Sequence, residues 1–199
     1  MKEIRIHGRS GAATIMAAHV LEQAALLSGY FAQAVASSGR EAEAHATAVV
    51  RIYEIGVQSQ SEAPDPIFVL VQDHTLLHSL GVTGDLPAHT RVLVNWSEVV
   101  TPTVLKGGQI VVMPATCMAE EFTGRQISNL ALLAALITMT QLMPLAALQE
   151  AIAMHFRGEE LQRNLSLAGI VARMVPAALW KESAGVGGES NTTIHSVLH

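Results

Sequence analysis

His7-Gly8-Arg9-Ser10-Gly11 is the stretch of this 199-residue chain whose residue types are best suited to hold a ligand. A short strand over residues 3–6 enters it and a long apolar helix leaves it at residue 12, so backbone N–H groups and a helix N-terminus converge on one point. The chemistry offered there is anion binding, of a phosphate above all. A dinucleotide fingerprint is not met: it needs three glycines at fixed spacing and an acidic residue about 20 positions on, and Ala13 stands where a third glycine belongs. The same residues equally describe a glycine-bearing strand-to-helix turn that holds nothing.

Other chemistry is thinner. Nine histidines raise the question of metal; of these, His74 and His78 stand at i and i+4 before Gly81, where a helix would place them on one face. That segment ends at Gly81 and supplies no second ligand type, so the histidines are expected in solvent or at interfaces. Asp65 and Asp73 bracket one predicted strand, and the strand's length keeps them from paired acid–base work. No motif for a serine or cysteine nucleophile occurs, and Ser37-Ser38-Gly39 has no identifiable base. Asn95 closes an apolar strand and Asn129 opens an apolar helix; each carries a donor and an acceptor where ligands gather, or where backbone groups need a cap.

The elements that must position these residues follow from periodicity. The first helix, residues 12–28, has a narrow polar stripe of His19, Glu22 and Gln23, which predicts cover on two sides, and Gly29 is placed to end it. Strands are predicted over residues 30–35 and 45–53 around a turn at Ser37-Ser38-Gly39-Arg40. A polar loop over 58–66 precedes the continuous apolar run 67–71, suited to a central parallel strand, with Gln72-Asp73-His74 at its carboxyl end. Strands at 91–95 and 109–113 and a short helix at 118–122 complete an alternating pattern. From residue 126 onward helices are predicted over 127–141, 145–156 and 159–180, with Pro144 in the first turn of the second. The expected fold is an α/β domain of three layers, residues 1–180, with a mixed, mainly parallel sheet and a helical C-terminal third; residues 181–199 read as a mobile tail.

Composition bounds the function. A net charge of -5 argues against a nucleic-acid binder. Charged residues are 15% against a typical quarter, hydrophobic residues are 50% and mean hydropathy is +0.34, which predicts a large subunit interface, with a homodimer as one outcome for the isolated chain. Membrane insertion is the competing explanation, since residues 126–149 carry no charge; Ser128, Asn129, Thr138, Thr140, Gln141 and Pro144 leave that run short of the ~20 apolar residues a span requires. The N-terminus has no signal-peptide core, and the single Cys117 excludes a disulfide or a cysteine-ligated cluster within the chain, so a reducing cytoplasm is expected.

Taken together, these motifs resemble the γ subunit, or γ domain, of the 2-oxoacid:ferredoxin oxidoreductases, of which pyruvate:ferredoxin oxidoreductase is the best-known member. The similarity runs from Met1 to about Arg173. The family's opening H-G-R-G-G-Q-G is met by His7, Gly8, Arg9 and Gly11, with Ser10, Ala12 and Ala13 substituting. Its S-x-G-P-E-R-R-G turn before V-R-I is met by Ser37 or Ser38, Gly39, Glu41 and Val50-Arg51-Ile52. Asn129 followed by Leu130-Ala131-Leu132-Leu133 is similar to its N-x-x-x-L-G-A-L helix start, and Glu160 to Leu165 to its late E-x-N-x-x-A segment, through Asn164.

The resemblance implies a multisubunit enzyme that oxidatively decarboxylates a 2-oxoacid with thiamine diphosphate and iron–sulfur clusters, reducing ferredoxin and passing the acyl group to coenzyme A. It implies that this chain is a non-catalytic subunit, that the cofactors sit on α, β and δ partners, and that Gly8, Arg9, Ser10, Gly11, Ser38, Gly39 and Asn129 border coenzyme A at the interface. The alternative is a stand-alone protein that binds a nucleotide or phosphate at Gly8 to Gly11. Ala42 and Glu43 replace two arginines of the family pattern, and Ser10 and Ala13 add Cβ atoms, which predicts weakened coenzyme A binding or an altered acceptor or substrate.

Overall fold

In a computed structural model, residues 1–38, 45–53, 65–78, 86–87, 89–97, 109–181 and 195–196 are described. Lys2–Gly8 forms β1, Gly11–Leu27 α1, Phe31–Ser38 β2, Ala46–Tyr53 β3, Phe68–Val71 β4, Arg91–Asn95 β5, Gln109–Met113 β6 and Ala115–Thr123 α2. Asn129–Thr140 forms α3, Leu145–His155 α4, Gly158–Met174 α5 and His195–Ser196 a two-residue β7; a 3₁₀ turn spans His74–His78. The sheet order is β2-β3-β1-β4-β5-β6-β7. From β1 to β7 all neighbours are parallel, and β3 runs antiparallel between β1 and β2. The mixed, mainly parallel α/β sheet expected from the strand patterns is therefore present.

Alternation along the strands divides the sheet into two faces. Ile4, Ile6, Val50, Ile52, Leu70, Leu93 and Met113 join one core with all five α-helices. Val69, Val71, Val92, Val94 and Ile110 form a smaller core on the other face with Leu76 of the 3₁₀ turn. The three layers are the sheet, a middle layer of α1 and α3, and an outer layer of α4 and α5. Every residue of α3 is buried, which is why residues 126–149 could dispense with charge.

Helix α5 is shorter than expected, ending at Met174 instead of near Trp180. Pro176 disfavours helical backbone at the residue before it, and Val175 is accordingly extended, at φ -93° and ψ 147°. The chain then runs back along α3, where the Trp180 N–H donates to the Met139 carbonyl (2.8 Å) and the indole stacks on Phe68 at 6.1 Å. Pro144 stands one position earlier than expected, as the N-cap of α4. Of the stretch expected to be a tail, only Lys181 and His195–Ser196 are described; the loop at 58–64 also lies outside the described residues.

Candidate functional site

The loop after β1 opens at the carboxyl edge of the parallel strands. Beyond β1 the chain turns onto the helical face with α1; beyond β4 it turns onto the opposite face with the 3₁₀ turn. In open α/β sheets the crevice between the carboxyl ends of two adjacent strands whose continuations part in this way is the usual ligand position. Gly8, Arg9 and Ser10 form one wall, and Gln72, Asp73 and Thr75 the other.

Contacts between the walls are close. The Gln72 N–H donates to the His7 carbonyl (2.8 Å), and the buried Thr14 hydroxyl lies 2.9 Å from the Ser10 carbonyl and 3.1 Å from Gln72 Oε1. A Cβ on Gly8 would collide with both Gln72 Oε1 and Thr14 Oγ1, so a larger residue fits there only if both side chains shift. Ser10 caps α1 by accepting from the Ala13 N–H (3.4 Å), while Gly11 meets nothing nearer than the Ala46 Cβ at 4.0 Å. Glycine at position 8 is thus dictated by packing within the chain, and glycine at position 11 is not.

Arg9 reaches across the crevice. Its Nε donates to Asp73 Oδ2 (2.5 Å) and its Nη2 to Thr75 Oγ1. The Thr75 N–H (2.9 Å) and hydroxyl (2.5 Å) both donate to Asp73 Oδ1. Partial burial pushes the Asp73 carboxyl up, but these donors and the Arg9 guanidinium outweigh it and hold the group below its ordinary value. Asp73 therefore stays charged.

The rest of the edge is fixed by Asn95. Its Nδ2 donates to the Gln72 carbonyl (2.8 Å) and Thr116 Oγ1 (2.7 Å), and its Oδ1 accepts the Thr116 N–H (3.0 Å), capping α2 in place of Pro114, which has no side-chain cap to give. Of the two roles open to Asn95, backbone capping is the one its amide performs. Beside it the His74 and Trp96 rings stack at 4.7 Å, 9° from parallel. His7 points to the face opposite α1, where its Nδ1 lies 3.2 Å from Thr47 Oγ1 and its Nε2 is buried with no hydrogen-bond partner among the described residues. Burial, and then the nearness of His45 and Arg5, lowers its pKa to about 4.

The other residues expected at the site fall as follows. Ser38, at the end of β2, and Gly8 both register with Ala46 of β3, so the end of β2 and the end of β1 share one edge, two strand spacings or about 10 Å apart. Gly39 and residues 40–44, Ala42 and Glu43 included, lie outside the described residues. Asn129 is buried at the start of α3; its Nδ2 donates to the Ala13 carbonyl (3.2 Å) and its Oδ1 accepts from the Leu130 N–H (3.0 Å), so it supports the first turn of α1 from beneath. Asn164 lies elsewhere, in a cleft of about 160 Å³ with Thr123, Arg125, Glu159, Glu160 and Arg163. Among the described residues no group of three metal-ligating side chains occurs. Sequence reading missed Thr14 and Thr75; a polar residue four positions after Ser10 in an apolar helix, and the Asp-x-Thr after β4, were the available signals.

The family model described as pyruvate ferredoxin/flavodoxin oxidoreductase matches residues 3–171, from β1 through α4 and most of α5. The chain belongs to that family. The common subunit gamma of the pyruvate/ketoisovalerate oxidoreductases of Pyrococcus furiosus is 34% identical over 84% of this chain and 94% of its own length. The crystal structure of pyruvate oxidoreductase subunit PORC from Thermotoga maritima superposes with a TM-score of 0.72 at 30% identity, covering 86% of this chain and 95% of that one. A 2-oxoglutarate:ferredoxin oxidoreductase from Magnetococcus marinus, solved with 2-oxoglutarate, coenzyme A and succinyl-CoA bound, shares the fold over 89% of this chain and 32% of its own (TM-score 0.69, 17% identity). Sequence and architecture are those of the family's gamma chains. The stand-alone nucleotide-binding alternative finds no support in these relatives.

Proposed function

We propose that this chain is a non-catalytic gamma subunit of a multisubunit, cytoplasmic 2-oxoacid:ferredoxin oxidoreductase that converts a 2-oxoacid to an acyl-CoA. The observation that carries the reading is the parting of the chain beyond β1 and β4, with Arg9 and the N-terminus of α1 at the strands' carboxyl ends, on a chain whose relatives are named as oxidoreductase subunits. Thiamine diphosphate and iron–sulfur clusters belong to α, β and δ partners, and electrons leave through them to ferredoxin. A single cysteine, Cys117, supplies one thiolate where a cluster needs four.

The part assigned to this chain is to border coenzyme A. Gly8, Arg9, Ser10 and Gly11 present an arginine and a helix N-terminus to its phosphates; Ser38 ends its strand at the same edge two strands away, Gly39 is assigned to this border by the family motif alone, and Asn129 holds the first turn of α1 in place. The substitutions at Ser10, Ala12 and Ala13, and the acidic Glu43 in place of a family arginine, make coenzyme A binding weaker than the family pattern implies. Purifying the tagged chain from its native host tests the reading. Thiamine- and cluster-bearing partners and coenzyme A-dependent 2-oxoacid oxidation are expected to accompany it; a stable monomer retaining a nucleotide would overturn it.

A further inference from the structure

Arginine recognises phosphate best through two N–H groups on one edge of its planar guanidinium, and that edge must be aimed. In Arg9 the side edge, Nε with Nη2, is occupied by Asp73 Oδ2 and Thr75 Oγ1. The end edge, Nη1 with the second hydrogen of Nη2, has no partner among the described residues, and the side chain is 52% exposed. Both oxygens of Asp73 are committed, one to Arg9 and the other twice to Thr75, so the carboxylate cannot swing away without breaking three hydrogen bonds. Thr75 closes the ring by accepting from Arg9 while donating to Asp73.

We propose that Asp73 and Thr75 are positioning residues that clasp the side edge of Arg9 and turn its end edge toward an anionic group of coenzyme A at the Gly8–Gly11 loop. This rests on the reading of that loop as the coenzyme A edge. It runs against simple electrostatics, because a carboxylate beside an anion site lowers the attraction of the site. A competing charge and a positioning clasp therefore predict opposite signs when Asp73 is neutralised.

Coenzyme A binding to the assembled complex, measured by calorimetry without 2-oxoacid, separates them. Thr75→Val changes no charge and removes one arm of the clasp; it and Asp73→Asn should each raise the dissociation constant about fivefold, the loss of one hydrogen bond's worth of orientation. In an Arg9→Ala background, itself weakened at least as much, neither should have any further effect. Thr75→Ser, which keeps the hydroxyl, should bind like the parent. Unchanged or tighter binding by Thr75→Val and Asp73→Asn, with Arg9→Ala still weak, would overturn the clasp and leave the loop reading standing. So would a Thr75→Ser defect as large as that of Thr75→Val. If Arg9→Ala binds normally, the loop reading itself fails and the clasp with it.

Discussion

At the scale of single residues, Gly8 and His7 make the sharpest predictions. Gly8→Ala puts a methyl group into the Gln72 amide and the Thr14 hydroxyl, and should cost about 1–3 kcal/mol. For a chain of this size that lowers the thermal midpoint by roughly 2–4 °C per kcal/mol. Gly11→Ala, with open space around it in the first turn of α1, should shift the midpoint by no more than about 1 °C. His7, neutral and buried, has its pKa lowered from 6.5 to about 4. The unfolded chain takes up this proton below pH 6.5 and the folded chain does not until about pH 4, so stability present above 6.5 is lost across that window. The loss should reach roughly 3 kcal/mol and be flattened in His7→Gln, as read from urea midpoints against pH. Asp73, whose carboxyl is held low, adds a further loss beginning in the ordinary carboxylate range. Deep in the sheet, Glu3 is 1% exposed between Arg5 (2.9 Å) and Arg51 (3.0 Å). Glu3→Ala should cost about 3 kcal/mol, at the low end for a buried pair because both arginines reach solvent.

Among the elements, those with a strong period were legible in the sequence and those governed by side-chain locks were not. Strands β1 to β6 and helices α1, α3 and α4 stand within a few residues of expectation, because Ile4/Ile6, Val50/Ile52 and the apolar run of α3 leave few other assignments. Helix α5 was drawn too long: its apolar pattern continues past Met174, and the restriction that Pro176 places on Val175 carries no hydropathy signal. In the candidate site the loop itself was visible from His7-Gly8-Arg9-Ser10-Gly11. Its partners were not, because Gln72, Asp73 and Thr75 come to it across 64 or more positions, through parallel pairing of β1 with β4. Asn95 was visible as a polar residue ending a strand, but its role depends on α2 beginning at a proline that leaves the helix uncapped. Asn95→Ala should therefore loosen the β4–β5–α2 junction, cost about 1–3 kcal/mol, and raise amide exchange at Thr116 ahead of global unfolding.

For the whole molecule, low charge has two consequences. Part of the apolar excess is absorbed by a middle helical layer, with α3 buried on every side, and no helix among the described residues is long and apolar enough to cross a membrane. Part stays on the surface: Phe31 is 61% exposed and Val35 46% on edge strand β2, and Ile15, Leu26 and Leu27 line α1. A chain built this way, carrying an arginine-bearing loop at a helix N-terminus and one cysteine, is suited to the proposed role of completing a site whose reactive groups lie on other subunits. Reconstitution by omission tests that most directly: the oxidoreductase is assembled from its purified subunits with and without this chain, and coenzyme A-dependent oxidation of 2-oxoacid is followed. The account predicts no turnover by the chain alone, loss of acyl-CoA formation when it is left out, and recovery when it is added back. Turnover by the isolated chain, or an assembly that forms acyl-CoA equally well without it, would contradict the account.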